Sequence, residues 1–190
     1  DDCGNFQQRQ QIFTIIDNTA PTFTAPDDIT IYKDDNCDYD ASVGVTGDVT
    51  DELDNCELDL VATSSDDIVA GACEGELIIT RTWMLVDECG NAADTQVQII
   101  TVKDNTVPTF TRPDDITIFS DANCDYDSDV AFTGDVTDEA DNCSTGIEAV
   151  FIDDAVPGSC EGEVIITRVW TLTDNCGNTA DTQVQTITVQ

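Results

Sequence analysis

Residues 17–103 and 104–190 repeat one another. The two 87-residue segments align without a gap, and 58 of the 87 aligned positions are identical. Repetition at a long, fixed period is typical of an array of similar structural units. A unit of this length can bury a small hydrophobic core of its own, so we expect two domains. We call residues 17–103 unit 1 and residues 104–190 unit 2.

The first 16 residues resemble the end of such a unit. The segment "CGNFQQRQQIFTII" in residues 3–16 is similar to "CGNAADTQVQIITVK", which closes unit 1, and is one residue shorter. Residues 1–16 are therefore interpreted as the last strand of a preceding unit in a longer array. The alternative is that residues 6–16 are donated as a β-strand to another subunit.

The charge of the chain excludes several classes of partner. It carries 40 Asp and Glu against 6 Lys and Arg, and it has no His. Such an excess of negative charge repels nucleic acid phosphates and anionic membranes. No segment approaches the roughly 20 apolar residues of a membrane span, so membrane insertion is not expected. Disorder is disfavoured because 40% of the residues are hydrophobic and lie in alternating runs.

The pattern of these runs predicts an all-β fold. Short β-branched segments alternate with Gly, Asp and Asn turns, which indicates tandem immunoglobulin-like β-sandwich domains. Alternate residues of a strand share one face, so Trp170 and its counterpart Trp83 are expected in the core. Arg81 and Arg168 are expected either to lie against the neighbouring indole or to pair with a carboxylate. In unit 2 the predicted strands are 116–119, 128–133, 146–152, 163–173 and 181–189, and unit 1 repeats them 87 residues earlier.

Nine cysteines occupy equivalent positions in the repeats. Without His or a CxxC motif a zinc site is disfavoured, and two disulfides per unit are expected, which indicates an extracellular protein. In the predicted sandwich, Cys143 and Cys176 lie at one end, and Cys124 and Cys160 lie at the other. The pairing that spans no domain is then Cys37–Cys73, Cys56–Cys89, Cys124–Cys160 and Cys143–Cys176, with Cys3 bonded to a cysteine outside this chain.

Acidic and amide side chains converge at the N-terminal end of each predicted sandwich, because the linker and two turns all lie there. Oxygen ligands of this kind, roughly six to eight in number, are what Ca²⁺ binds. The alternative is a solvated acidic end in which Asp and Asn form turns. The candidate Ca²⁺ ligands are Asp17, Asn18, Asp51, Glu52, Asp54, Asn55, Asp87 and Asn91 in unit 1, and Asp104, Asn105, Asp138, Glu139, Asp141, Asn142, Asp174 and Asn178 in unit 2.

A second acidic segment occurs as "DDNCDYD" in residues 34–40 and "DANCDYD" in residues 121–127. Oxygen side chains at every second position resemble the start of a calcium loop, although the glycine and glutamate of an EF-hand are missing. The first segment faces the next linker and is a candidate bridge to it. The alternative is the exposed face of a strand. The further candidate ligands are Asp34, Asn36, Asp38, Asp121, Asn123 and Asp125.

The linkers "DNTAPTF" and "DNTVPTF" resemble the cadherin joint, in which such a stretch helps to hold Ca²⁺ between domains. The complete unit, with "DNC" and then "ITRTWMLVDECGN" or "ITRVWTLTDNCGN", is similar to the hyalin-type, immunoglobulin-like repeats of large bacterial surface proteins, especially those of the Bacteroidota. This resemblance implies stalks, adhesins or surface filaments.

Three non-enzymatic functions follow from these observations. The preferred one is a stiff extracellular stalk or fibril, in which neighbouring copies of the repeat join end to end. The alternatives are a pilus-like filament assembled by strand donation and an adhesin module that binds a cell-surface glycan or protein. Residues 57–72 and 144–159 differ most between the units. Phe151 there replaces Ser64 and is expected in the core, the alternative being an exposed contact point between subunits. An enzyme is not expected, because no activated nucleophile or phosphate loop is present.

Overall fold

The structure is a computed structural model that describes residue 3 and residues 9–190. Its regular elements are mainly strands, which confirms the expectation of a β-rich chain. Among these residues no helix combines the length and the apolar character that crossing a membrane requires. The elements are β1 (Ile29–Tyr32), α1 (Val43–Thr46), β2 (Thr63–Ala70), β3 (Leu77–Met84), β4 (Gln96–Lys103), β5 (Ile116–Ile118), α2 (Val130–Thr133), β6 (Val150–Pro157), β7 (Val164–Thr171) and β8 (Gln183–Val189).

The strands form two four-stranded sheets, and each sheet is built from one unit alone. The strand orders are β1-β4-β3-β2 and β5-β8-β7-β6, so the second sheet repeats the first. The first strand of each sheet runs parallel to the last, with Ile29 beside Ile100 in unit 1, and the other pairs are antiparallel. Outside each sheet lie the short helix and two isolated bridges, Thr22 to Leu53 and Val86 to Ala92 in the described part of unit 1.

Three of the predicted strands are confirmed in unit 2, because β5, β7 and β8 lie inside the predicted ranges. The predicted strand at 128–133 is wrong, since residues 130–133 form α2. The Asp129 carboxylate accepts a hydrogen bond from the backbone N–H of Ala131 (2.9 Å) and so caps the helix. Gly134, at φ 96°, ends it in a conformation that favours glycine. The strand predicted at 146–152 begins later, at Val150, and extends to Pro157.

Both tryptophans are buried, as predicted: Trp83 is 1% exposed and Trp170 is fully enclosed. In each unit the indole packs with a phenylalanine of the N-terminal segment, Phe23 or Phe110. The packing of this segment against the middle of the sheet positions the linker close to the turn that follows β3 or β7.

A buried arginine fastens the short helix of each unit to the sheet. The Arg168 guanidinium donates to both carboxylate oxygens of Asp153 (2.7 and 2.8 Å) and to the Thr133 hydroxyl (2.7 Å). It also lies 4.0 Å from the Phe151 ring centroid and 5.9 Å from that of Trp170. Both predicted roles therefore hold for Arg168, whereas Arg81 pairs with Asp66 at 2.8 Å.

Phe151 lies at the border of the core. It packs against Trp170 with ring centroids 4.9 Å apart. It is nevertheless 39% exposed, so it contacts the core without being buried in it, and the core position preferred for it is not reached. Strand β6, which carries it, is the exposed edge of the sheet.

Candidate functional site at the junction of the two units

Both disulfides of the structure cross from unit 1 to unit 2. Cys37 bonds to Cys143 and Cys73 bonds to Cys176, with a Cα–Cα distance of 5.1 Å in each pair. This distance lies inside the usual range for a disulfide. The predicted pairings Cys37–Cys73 and Cys143–Cys176 are therefore wrong.

The correction has a geometric reason. Strand β4 ends at Lys103, and unit 2 begins at the next residue, the linker residue Asp104. The C-terminal end of unit 1 therefore meets the N-terminal end of unit 2, and their cysteine pairs face one another. The approach is close at Gly75, which has φ 90°: a Cβ added there would lie 3.0 Å from the Cys143 Cβ.

The other predicted disulfides are not formed either. Cys56, Cys89, Cys124 and Cys160 are unbonded and exposed. Desolvation raises the pKa of the Cys56 thiol, and the nearby carboxylates of Asp17 and Asp54 raise it further. The bond predicted from Cys3 to a cysteine outside this chain remains a prediction.

Glu74 of unit 1 adds polar contacts across the junction. Its carboxylate accepts hydrogen bonds from the Thr145 hydroxyl (2.8 Å), the Thr145 backbone N–H (3.1 Å) and the Asn175 side-chain amide (2.6 Å). These bonds, led by the Thr145 backbone N–H, lower the pKa of Glu74. Sequence reasoning missed all three residues. The available signal was that Thr145 and Asn175 replace Leu58 and Glu88 between two otherwise similar units.

Three aspartates of unit 2 converge beside the disulfides. Asp104 comes from the linker, Asp141 from the turn before Cys143, and Asp174 from the turn after β7. One carboxylate oxygen from each lies within 4.8 Å of the others. Asp104 and Asp174 are each only 6% exposed. Within residues 9–190, no Lys or Arg forms an ion pair with any of the three.

Several oxygens in this cluster are buried without a hydrogen-bond donor. Asp104 accepts from the Thr106 backbone N–H through Oδ1 (3.0 Å), while its Oδ2 is unpaired. Asp141 accepts from the Cys143 and Ser144 backbone N–H groups through Oδ2, while its Oδ1 is unpaired. The side-chain oxygen of Asn142 is also unpaired. Unpaired buried oxygens cost free energy, and oxygen-only ligands of this type suit Ca²⁺.

Asn178 supports the cluster through Asp174. Its side-chain amide donates to Asp174 Oδ2 (2.7 Å), and its backbone N–H donates to Oδ1 (2.7 Å). The same amide lies 3.4 Å from the backbone oxygen of Asp104. Asn178 thus orients a predicted ligand, because its amide N–H groups face the carboxylate.

Unit 1 holds the equivalent cluster of Asp17, Asp54 and Asp87. Asp54 Oδ1 is buried and unpaired, as in Asp141. Desolvation raises the pKa of Asp87, but hydrogen bonds from Asn91 and the neighbouring backbone outweigh it, so the pKa lies below its usual value. The structure therefore brings together three of the predicted acids at the N-terminal end of each unit.

The other predicted ligands at this end have different contacts. Asp51 and Asp138 accept from the backbone N–H groups of Thr24 and Thr111 (2.9 and 2.8 Å). Glu52 and Glu139 accept from backbone N–H groups ten residues later. Asn55 donates to its neighbour Cys56, and Asn18 and Asn105 are exposed. Among the described residues, neither metal-ligand cluster contains Asp51, Glu52, Asp138 or Glu139.

The second acidic segment forms a turn. Asp34 Oδ1 accepts from the backbone N–H groups of Asn36 and Asp38, and Asp121 does the same with Asn123 and Asp125. These backbone bonds lower the pKa of Asp34 and Asp121. The turn reaches unit 2 through the backbone oxygen of Asp34, which accepts from Asn142 (2.9 Å). A bridge to Asp104 through the predicted carboxylates is not seen.

No family model matches the chain, and no match to a curated protein was found.

Proposed function

We propose that the chain is a segment of a non-enzymatic extracellular structural protein. Tandem immunoglobulin-like units would be held end to end as a stiff stalk or fibril of a bacterial surface protein. The observation that carries this proposal is that both disulfides join unit 1 to unit 2. With the continuous backbone at Lys103–Asp104, three covalent links cross one junction, and such links remove the hinge freedom that domain linkers otherwise keep. Disulfides are typical of an oxidising extracellular environment.

We further propose that Ca²⁺ binds the cluster of Asp104, Asp141 and Asp174. The support is the close approach of three carboxylates together with the buried, unpaired oxygens of Asp104 and Asp141. A divalent cation would neutralise the repulsion among the carboxylates and would supply the missing partners. Because Asp104 is the linker residue, the bound ion would also stiffen the junction.

Calorimetric titration and thermal unfolding of the oxidised chain test the calcium proposal. We expect binding heat with Ca²⁺, a higher melting temperature than with chelator, and loss of part of both effects in Asp141→Asn. The matched control is Asp154→Asn, which removes one negative charge from an exposed acid of β6 that is not a candidate ligand. Equal behaviour of the two variants, or no effect of Ca²⁺, would reject the site. Small-angle scattering tests the stiffness separately.

Strand donation is a second candidate function, favoured by the exposure of residues 9–16. Aligned backwards from Asp17, the side chains of Phe13 and Ile15 correspond to Ile100 and Val102, which are fully enclosed in β4. Phe13 and Ile15 are instead 78% and 96% exposed. The apolar side chains of Phe13 and Ile15 are therefore suited to pack in a sheet outside this chain, either in a preceding unit or in another subunit. Residues 6–8 of the predicted strand, which spans residues 6–16, lie outside the described residues.

Sedimentation over a range of protein concentrations distinguishes these two cases. Donation between subunits predicts concentration-dependent assembly that Ile15→Asp abolishes. The control is Val184→Asp, at an exposed position of β8. A chain that stays monomeric at all concentrations would support the reading as the last strand of a preceding unit.

A further inference from the structure

The four exposed cysteines repeat the two halves of the junction already formed. Cys56 and Cys89 align with Cys143 and Cys176, which are the unit 2 half of the two disulfides. In the same way, Cys124 and Cys160 align with Cys37 and Cys73, the unit 1 half. Each end of the chain thus carries one half of the same junction.

The local structure around the aligned cysteines is also the same. Cys37 and Cys124 both have φ 62°, and each donates its backbone N–H to the aspartate three residues earlier (2.9 and 3.0 Å). Cys56 and Cys143 each donate to an aspartate carboxylate (2.8 and 2.9 Å). Cys124 and Cys56 therefore have the local backbone geometry that Cys37 and Cys143 have in the central disulfide.

We propose that Cys124 and Cys160 form two disulfides with a following unit of the same cysteine pattern, at the positions of its Cys56 and Cys89 equivalents. Cys56 and Cys89 bond in the same way to a preceding unit. This inference rests on the proposed array and identifies its covalent contacts. Each bond forms by exchange with a small-molecule disulfide such as oxidised glutathione. Two protein thiols lose their protons and join, and the glutathione S–S bond is reduced to two thiols.

Glu161 specifies which kind of unit follows. It occupies the position of Glu74, whose carboxylate accepts from Thr145 and Asn175. Unit 1 presents Leu58 and Glu88 at those two positions, so a second copy of unit 1 would place a leucine and a like charge against Glu161. The following unit therefore carries hydrogen-bond donors there, as unit 2 does. The same argument predicts a non-acidic residue at the Glu74 position of the unit that precedes unit 1.

Two variants of the full chain test the proposed bonds. Cys3→Ser/Cys56→Ser/Cys89→Ser keeps only the C-terminal half-junction. Cys3→Ser/Cys124→Ser/Cys160→Ser keeps only the N-terminal half-junction, Cys56 and Cys89. This variant also carries Leu58→Thr and Glu88→Asn, which give unit 1 the residues that unit 2 has at these two positions. After oxidation with oxidised glutathione, we expect a covalent heterodimer in the mixture and none with either variant alone. Peptide mapping should find Cys124 bonded to Cys56, and Cys160 to Cys89. Without Leu58→Thr and Glu88→Asn, the heterodimer yield should fall.

A mixture that stays monomeric, or Cys56–Cys89 and Cys124–Cys160 bonds within units, would overturn the proposal. Peptide mapping of Cys37–Cys143 and Cys73–Cys176 in each variant verifies folding, and a second set with alanine in place of serine replaces any variant that lacks them. Calcium titration of the same proteins separates this test from that of the proposed function. A heterodimer without Ca²⁺ binding rejects only the proposed Ca²⁺ site, and Ca²⁺ binding without a heterodimer rejects only these bonds.

Discussion

The N-terminal ends of the two units have nearly the same sequence but different surroundings. In unit 2 this end meets unit 1: Asp104 is buried and Cys143 is bonded. In unit 1 the equivalent Asp17 is half-buried, and Cys56 is exposed and unbonded. Both ends nevertheless hold three aspartates within 4.8 Å of one another. The acid cluster is therefore a property of the unit itself, whereas the junction adds burial and covalent bonds.

The largest difference between the two ends should come from the disulfides. Cys73→Ser/Cys176→Ser should lower the free energy of unfolding by about 3–5 kcal/mol, because one constraint on the unfolded chain is lost. Cys89→Ser/Cys160→Ser changes the two unbonded cysteines at the positions equivalent to Cys176 and Cys73 and should leave it nearly unchanged. Urea unfolding under oxidising conditions measures both. Equal effects would contradict the assignment of the central disulfides.

Calcium should distinguish the two clusters next. At a Ca²⁺ concentration about one hundred times its dissociation constant, each occupied site should stabilise the fold by about 2.7 kcal/mol. The cluster of unit 2 should bind more tightly, because Asp104 is more buried than Asp17. Titration calorimetry of Asp141→Asn and Asp54→Asn tests this order. If Asp54→Asn instead removed the tighter of the two Ca²⁺-binding events, the cluster of unit 1 would be the stronger site.

Loss of the ion pair between the buried Arg81 and Asp66 should have an intermediate effect on the free energy of unfolding. Asp66→Asn should destabilise unit 1 by about 2 kcal/mol, because Arg81 loses a charged hydrogen-bond partner. A hydrogen bond from Arg81 lowers the pKa of Asp66, so its stabilisation is complete above its unfolded pKa near 3.8 and is lost as pH falls through the lowered folded value. Asp66 should titrate between roughly pH 5 and pH 2. Urea unfolding over this pH range should show a smaller loss of stability in the variant than in the natural chain.

Glu74 should give the smallest effect, since it is exposed. Its lowered pKa means that its stabilisation is present above its unfolded pKa near 4.5 and is lost as pH falls through the folded value. Glu74→Gln should therefore flatten the acid side of the stability profile slightly. Glu161→Gln, at the equivalent position of unit 2, is the matched control and should not change the stability profile. Identical profiles for Glu74→Gln and the natural chain would remove Glu74 from the junction.

Prediction from the sequence succeeded where the signal was local. Strands β7 and β8 follow from alternating residues, and the burial of Trp83 and Trp170 follows from the same alternation. It failed at residues 130–133, where the Asp129 cap and Gly134 favour a helical turn over β-propensity. It did not show that Asp51 and Glu52 accept hydrogen bonds from the backbone, because sequence places residues in a turn without showing where each side chain is hydrogen-bonded.

The sequence by itself determined the repeat, the β-rich character and the convergence of Asp104, Asp141 and Asp174 from three segments. Only the tertiary structure decided how the cysteines pair. When two units have the same cysteine positions, the sequence alone is equally compatible with disulfides within a unit and between units. A disulfide requires Cα atoms about 4.4–6.8 Å apart, and that distance depends on how unit 1 and unit 2 meet. The direct passage from Lys103 to Asp104 brings Cys37 to Cys143, and so joins the units.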